Sequence, residues 1–194
     1  WALDNSRKDG RWCGVNNEIS VLEEMGCYAD FTLPSAPSDT QTRKINSIYY
    51  AIDDPNKPKS HDDGIPLTLT LSPEGRGKGE GKREMGLMII QGPLALNWKR
   101  RKFHIFPRIE NAEIAWHNKP SKDRIDLWVE QNISVKGRED WVFIKAHTHG
   151  AQEKNFDSLL GKPMHNMHNY LETKYNDEVN YKLHYVTARE MYNI

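Results

Sequence analysis

Apolar residues along this chain occur in short periodic runs separated by polar loops, and the spacing within each run predicts a helix or a strand. Residues 15–25 carry apolar side chains at helical spacing, with Asn16 or Asn17 as the predicted N-cap and Gly26 as the stop. Further helices are predicted over residues 121–135, 152–160, 163–175 and 188–194.

Runs of strand length lie between the predicted helices. Residues 86–92 form a continuous apolar run that ends in glycine and proline, as expected of a strand buried on both faces. A high content of β-forming residues favours a strand over residues 46–52. The other predicted strands cover residues 28–33, 141–147 and 181–187.

The alternation of strands with helices or long loops indicates a parallel α/β sheet or barrel. Polar residues close the predicted strands, and the carboxyl ends of parallel strands meet at one edge of such a sheet. A single pocket at that edge is therefore predicted to be lined by Asp30, Thr32, Asp53, Gln91, His147, His149 and Thr187.

The stretch from Trp141 to Gly150 is the strongest candidate for chemistry. Because side chains alternate along a strand, Lys145, His147 and His149 share one face. With 8 histidines in 194 residues, this His-x-His spacing arises by chance roughly 0.3 times, so the spacing alone carries little weight. The position of the pair, at the end of an apolar strand and before a glycine, favours a function over two stray histidines on a core strand.

Three polar segments are assigned to the surface. Residues 65–84 pass from strict alternation into a glycine-rich charged stretch, which resembles translated repetitive elements of bacterial genomes and predicts a flexible insertion. The four cations from Lys99 to Lys102 are interpreted as a solvated face rather than a grip on an anionic substrate. His61 is followed by two aspartates and Gly64, and this group is predicted to be an exposed turn rather than a metal site.

Composition and charge limit the classes of partner and of cellular compartment that fit this chain. The 27 Lys and Arg residues balance 27 Asp and Glu residues, so there is no electrostatic case for nucleic acid or an acidic membrane as the main partner. No apolar run approaches the ~20 residues that span a bilayer, and no signal peptide is recognised. Two cysteines, Cys13 and Cys27, do not make a disulfide framework and favour free thiols in a reducing, cytoplasmic compartment.

Four motifs, taken in order, resemble the polysaccharide deacetylase (NodB-homology) family. They are Ala-Asp-Phe-Thr-Leu-Pro34, Gly-Leu-Met-Ile-Ile-Gln91, Asn97-Trp98 and Val-Phe-Ile-Lys-Ala-His147. The resemblance implies an α/β fold, a partial distorted (β/α)7 barrel, with residues 1–194 as a single domain interrupted by the 65–84 insertion. Thr32 stands where the family has an arginine. The family's Asp-Asp motif and paired metal-binding histidines lie upstream, so the chain is expected to be the C-terminal part of such a domain.

The same resemblance implies an activity and a set of site residues. The activity is metal-assisted removal of acyl groups from N-acetylated sugars of a polysaccharide, with a divalent metal such as zinc as cofactor. His147 corresponds to the general acid that protonates the leaving amine. Substrate contacts are assigned to Asp30, Lys145, Gln91 and Trp98, and His149 is assigned to orienting His147, to the sugar or to the metal.

Two alternatives to this activity stay open at the level of sequence. One is a carbohydrate-binding or scaffold domain that lacks the full catalytic set, which the missing upstream motifs favour for the chain alone. The other is an unrelated metal hydrolase built around His147 and His149, which metal binding by this chain would favour.

Overall fold

The computed structural model describes residues 3–68, 86–150 and 152–194 of the chain. Within these ranges a four-stranded mixed sheet carries the main core. Its strands are β1 (Ala29–Asp30), β2 (Ile48–Ala51), β3 (Gly64–Pro66) and β4 (Met88–Ile90), in the spatial order β1-β4-β2-β3. Strand β4 runs parallel to β1 and antiparallel to β2, and β2 is antiparallel to β3.

Both faces of this sheet are covered by apolar side chains. Alternate residues of β2 and β4 point to opposite faces, so Tyr49 and Ile89 pack in one cluster while Tyr50 and Met88 pack in another. All three residues of β4 are buried, which confirms the prediction that this run is buried on both faces. The first cluster contains Leu3, Ile19, Leu33, Tyr49, Ala51, Leu87 and Ile89. The second contains Ile48, Tyr50, Met88, Ile90 and Ile133.

The predicted helices form near their expected positions. Helix α1 (Glu18–Glu24) follows Asn17 as N-cap residue and is followed by Gly26, whose φ of 88° places it in the left-handed region. Helix α5 (Ala188–Asn193) begins after Thr187, whose hydroxyl oxygen accepts from the backbone N–H of Glu190 in a capping box. The other helices are α2 (Lys122–Glu130), α3 (Phe156–Leu160) and α4 (Lys162–Lys174).

A separate two-stranded sheet consists of β5 (Ala95–Lys102) and β6 (Phe106–Glu110). The two strands form an antiparallel hairpin with a register shift between Asn97 and Arg101. Strand β6 was not expected, because the sequence of residues 103–120, with Pro107 and Pro120, predicts an irregular segment. Proline is tolerated here because the two-stranded sheet has only edge strands.

The predicted barrel is wrong. The structure has a mixed α/β arrangement with one four-stranded and one two-stranded sheet, and the strands it describes do not close into a barrel. Two consecutive parallel strands need a long crossover connection, usually a helix, whereas two consecutive antiparallel strands do not. No helix lies between β1 and β2 in the described chain, and β2 enters the sheet antiparallel to β4.

Two of the predicted strands do not form. Residues 141–146 carry no strand assignment, and His147 makes an isolated parallel bridge with Glu113. Residues 181–187 carry no strand assignment. The predicted insertion at 65–84 begins inside the main sheet, since β3 includes Ile65 and Pro66, and residues 69–84 of it lie outside the described ranges. Among the described helices, none has the length and apolar character that crossing a bilayer requires.

Candidate functional site

The site begins where two distant segments of the chain meet. The backbone N–H of Ile114 donates to the carbonyl oxygen of His147 at 2.8 Å, and the N–H of His147 donates to that of Ala112 at 3.2 Å. These two bonds align Glu113 with His147 in the parallel bridge. The predicted catalytic segment is therefore fixed to the loop that follows β6.

A buried arginine shapes that loop. The guanidinium of Arg124, on α2, is fully buried and donates to both carboxylate oxygens of Glu110 at 2.7 and 2.8 Å. It also donates to the carbonyl oxygens of Glu113, Asn118 and Lys119. Burial raises the pKa of Glu110, but the bonds from Arg124 and from the Trp128 indole outweigh it, and the net pKa is lowered. Glu110 is thus an ionised anchor for the loop.

Five side chains then form a connected array on the surface, which we call the Trp–His array. The Trp116 and His117 rings lie edge to face at 5.2 Å. The Glu113 carboxylate lies 4.0 Å from Nε2 of His117 and 4.0 Å from Nε2 of His149. The His149 and His147 rings are 5.6 Å apart at an interplanar angle of 89°. The array combines an exposed aromatic ring, three imidazoles and one carboxylate.

His147 differs from the other imidazoles of the array because it is largely buried. Both of its ring nitrogens are inaccessible to solvent and lack a hydrogen-bond partner among the described residues. Burial, with smaller contributions from His149 and Lys145, lowers the pKa of His147 to about 4. The imidazole is therefore neutral near pH 7, so it can accept a proton, although as a weaker base than an ordinary histidine, and it cannot begin a reaction as an acid.

The lowered pKa predicts a dependence of stability on pH. A histidine in the unfolded chain has a pKa near 6.5, so the unfolded state binds more protons than the folded one between about pH 6.5 and 4. Stability therefore falls as the pH is lowered through this window. We expect His147→Gln to reduce the loss of unfolding free energy between pH 7 and pH 4.5 by about 2 kcal/mol, after allowance for solvent screening.

Urea denaturation of both proteins at the two pH values measures this difference, and His165→Gln on the exposed face of α4 serves as the matched control. An identical pH dependence in wild type and His147→Gln would show that His147 titrates as an ordinary surface histidine.

Lys145 has a structural role that the sequence did not indicate. Its ammonium donates to the carbonyl oxygens of Phe31, Leu33 and Ile90 at 2.9, 2.7 and 2.5 Å. Burial lowers the pKa of Lys145 to about 8, so it still carries its charge at neutral pH, and its three N–H groups match the three acceptors. Lys145 joins the carboxyl ends of β1 and β4 to the 141–147 segment, and its donors are fully used.

The other predicted substrate contacts lie in different places. The Gln91 side chain is buried, accepting from Ser47 and donating to the carbonyl oxygen of Lys44. Asp30 accepts from the backbone N–H and hydroxyl of Thr32, and its charge acts on Lys145. Trp98 lies on β5, half exposed, with the Arg101 guanidinium 5.8 Å from its ring centroid. None of the contacts described here joins these residues to the Trp–His array.

The divalent metal implied by the family resemblance does not fit the described residues. Within the ranges that the structure describes, there is no group of three or more His, Cys, Asp or Glu side chains arranged to hold a metal ion. Among the residues that the structure describes, Glu113 is the one carboxylate at ion-pair distance from His149, the predicted ligand. No step of the chemistry below is therefore assigned to a metal. Cys13 and Cys27 are free thiols, as predicted.

A buried polar cluster also departs from the sequence prediction. His61, expected in an exposed turn, is fully buried, and its Nδ1 lies 3.7 Å from Oδ2 of Asp4. The same carboxylate oxygen accepts from the backbone N–H and hydroxyl of Ser60, each at 2.5 Å. These contacts hold the first residues of the described chain against the 60–62 turn, which explains why the turn is not at the surface.

Sequence reasoning missed Glu113, Trp116 and His117. They lie in a segment between two prolines that was predicted to be irregular, and the spacing of four between Glu113 and His117 was the only local signal. No protein-family model, curated protein or solved structure matches the chain. The function is therefore argued from the site.

Proposed function

We propose that this protein is a hydrolase that removes acyl groups from N-acylated sugars at the Trp–His array. The observation that carries the proposal is the continuous contact from the exposed Trp116 ring, through His117 and Glu113, to His149 and the neutral His147. An exposed indole offers a flat apolar face for a sugar ring, while imidazoles and a carboxylate supply proton transfer at neutral pH. The resemblance of residues 142–147 to the last motif of polysaccharide deacetylases supports the same substrate class.

The chemistry follows from the protonation state of His147. The His147 ring must first turn so that one of its nitrogens, both of which are buried in this structure, reaches water. The neutral imidazole then accepts a proton from a water molecule as that water attacks the acyl carbonyl carbon. The resulting imidazolium returns the proton to the sugar nitrogen as the carbon–nitrogen bond breaks, which releases a free acid and an amine. His149, which is exposed and lies 4.0 Å from the Glu113 carboxylate, can donate a ring N–H to the developing oxyanion.

The experiment measures both binding and turnover of N-acetylated oligosaccharides. We expect Trp116→Ala to weaken binding by about tenfold, because an aromatic contact contributes roughly 0.5–1.5 kcal/mol beyond its buried area. Trp98→Ala, on a half-exposed tryptophan of the hairpin, is the matched control and should leave binding unchanged. We expect His147→Gln to lower acetate release by about 10²–10⁴-fold with binding retained.

Two outcomes would contradict this assignment. If Trp98→Ala weakens binding and Trp116→Ala does not, the sugar binds outside the array. If His147→Gln releases acetate at the wild-type rate, the imidazole is not the proton carrier.

A second candidate is a carbohydrate-binding domain without turnover. It is favoured by the structural engagement of Lys145 and Gln91, two of the predicted substrate contacts, whose side chains bind the protein's own backbone. Sugar binding that depends on Trp116, together with no acetate release by the wild-type protein, would select this candidate.

A further inference from the structure

The β5–β6 hairpin exposes an unusual amount of apolar surface. At its tip, Phe103 is 84% exposed, Ile105 66% and Phe106 63%. Behind the tip, Leu96 and Ile109 face each other across the two strands and are both more than half exposed. Contiguous apolar patches of this kind on a protein surface mark sites that bind another protein or a membrane.

The charged residues of the hairpin are mainly positive. Its strands and turn, residues 95–110, contain five Lys or Arg residues, although the whole chain has a net charge of +0. Their single carboxylate, Glu110, is buried and paired with Arg124. Lys99 is paired with Asp123 on α2 at 2.8 Å. The other four, which form no ion pair with the described residues, are Arg100, Arg101, Lys102 and Arg108.

We propose that the β5–β6 hairpin docks on the surface of an anionic lipid bilayer. The Phe103, Ile105 and Phe106 side chains enter the boundary between head groups and acyl chains, while Arg101, Lys102 and Arg108 meet the anionic head groups. Aromatic and aliphatic side chains next to cations are the combination that binds protein segments in the membrane interface. The chain then lies on the bilayer rather than across it.

The same features make other partners less suitable. Lysine is depleted at the centres of protein–protein interfaces, whereas Lys102 is paired directly with Phe106 near the tip. A nucleic acid would meet the cations but would leave the apolar tip in water. An anionic bilayer can bind both the cations and the apolar tip, because its interface has an apolar layer immediately below a negatively charged one.

Co-sedimentation with lipid vesicles tests the proposal. We expect the protein to bind vesicles of phosphatidylcholine with about 30% phosphatidylserine at least about tenfold more tightly than pure phosphatidylcholine vesicles, because each cation near the surface contributes about fivefold. Phe103→Ser with Phe106→Ser should reduce binding about tenfold or more, by removing the apolar contact. Arg101→Glu with Lys102→Glu should abolish the preference for anionic lipid.

Matched controls lie elsewhere on the surface. Phe156→Ser removes an aromatic side chain that is 65% exposed at the start of α3, and Arg189→Glu reverses an exposed charge on α5. Both controls should bind anionic vesicles as the wild type does, and circular dichroism should show the same fold in all variants.

Several results would overturn the proposal. They are equal binding to neutral and anionic vesicles, full binding by the Phe103→Ser and Phe106→Ser variant, and no binding to either vesicle. If vesicle binding is absent and sedimentation velocity shows dimers that the same double substitution dissociates, the hairpin instead binds a second copy of this chain.

Discussion

Replacing Lys145 by methionine is expected to destabilise the protein by about 4 kcal/mol. The substitution keeps most of the apolar stem but removes the ammonium that donates to the carbonyl oxygens of Phe31, Leu33 and Ile90. These acceptors would be left without their donor in a place where burial is strong enough to lower the pKa of Lys145 to about 8. The cost of unpaired buried carbonyls therefore exceeds the gain from a more apolar side chain.

Urea denaturation measures this loss as a fall in the midpoint with an unchanged slope. Lys162→Met, at an exposed position at the start of α4, is the matched control and should change the unfolding free energy by less than about 0.5 kcal/mol. Equal midpoints for Lys145→Met and the control would mean that the three carbonyl groups find other partners, and that Lys145 does not join β1 and β4 to the 141–147 segment.

Local signals in the sequence predicted the elements that depend on local contacts. Asn17, one of the two predicted N-cap residues, lies directly before α1, and the apolar run containing β4 predicted a strand buried on both faces. The direction of a strand cannot be predicted in this way, because side chains alternate with the same period in parallel and antiparallel strands. The barrel prediction failed at this step, when β2 paired antiparallel to β4.

In the candidate site too, features that depend on neighbouring residues were predicted, and contacts between segments distant in sequence were missed. Lys145 was assigned to substrate through the family resemblance, but its actual acceptors lie 55 to 114 residues away in sequence, where no local pattern indicates them. His147 and His149 were recognised from their position near a glycine, whereas Glu113 joins them only through the bridge with His147. His61 was placed at the surface because aspartates and a glycine follow it, whereas the contact with Asp4 that accompanies its burial joins segments that are far apart in sequence.

The largest loss of stability is expected for Arg124→Met, at about 5 kcal/mol. Removing one partner of a buried ion pair costs more than the pair contributes, since the Glu110 carboxylate would remain buried without its counter-ion. The carbonyl oxygens of Glu113, Asn118 and Lys119 would lose their donor in the same step. The loop that carries Trp116 and His117 would therefore lose its anchor, and sugar binding should weaken with stability.

A double substitution separates the charge from the rest of the contact. Arg124→Met with Glu110→Met removes both ionic partners, so we expect it to recover about 1–2 kcal/mol of the loss, with the remainder due to the carbonyl groups and the Trp128 indole N–H. Arg108→Met, on the exposed side of β6, is the matched control. If Arg124→Met unfolds at the same urea concentration as this control, the guanidinium does not hold the loop, and the geometry of the Trp–His array must be maintained by the Glu113–His147 bridge alone.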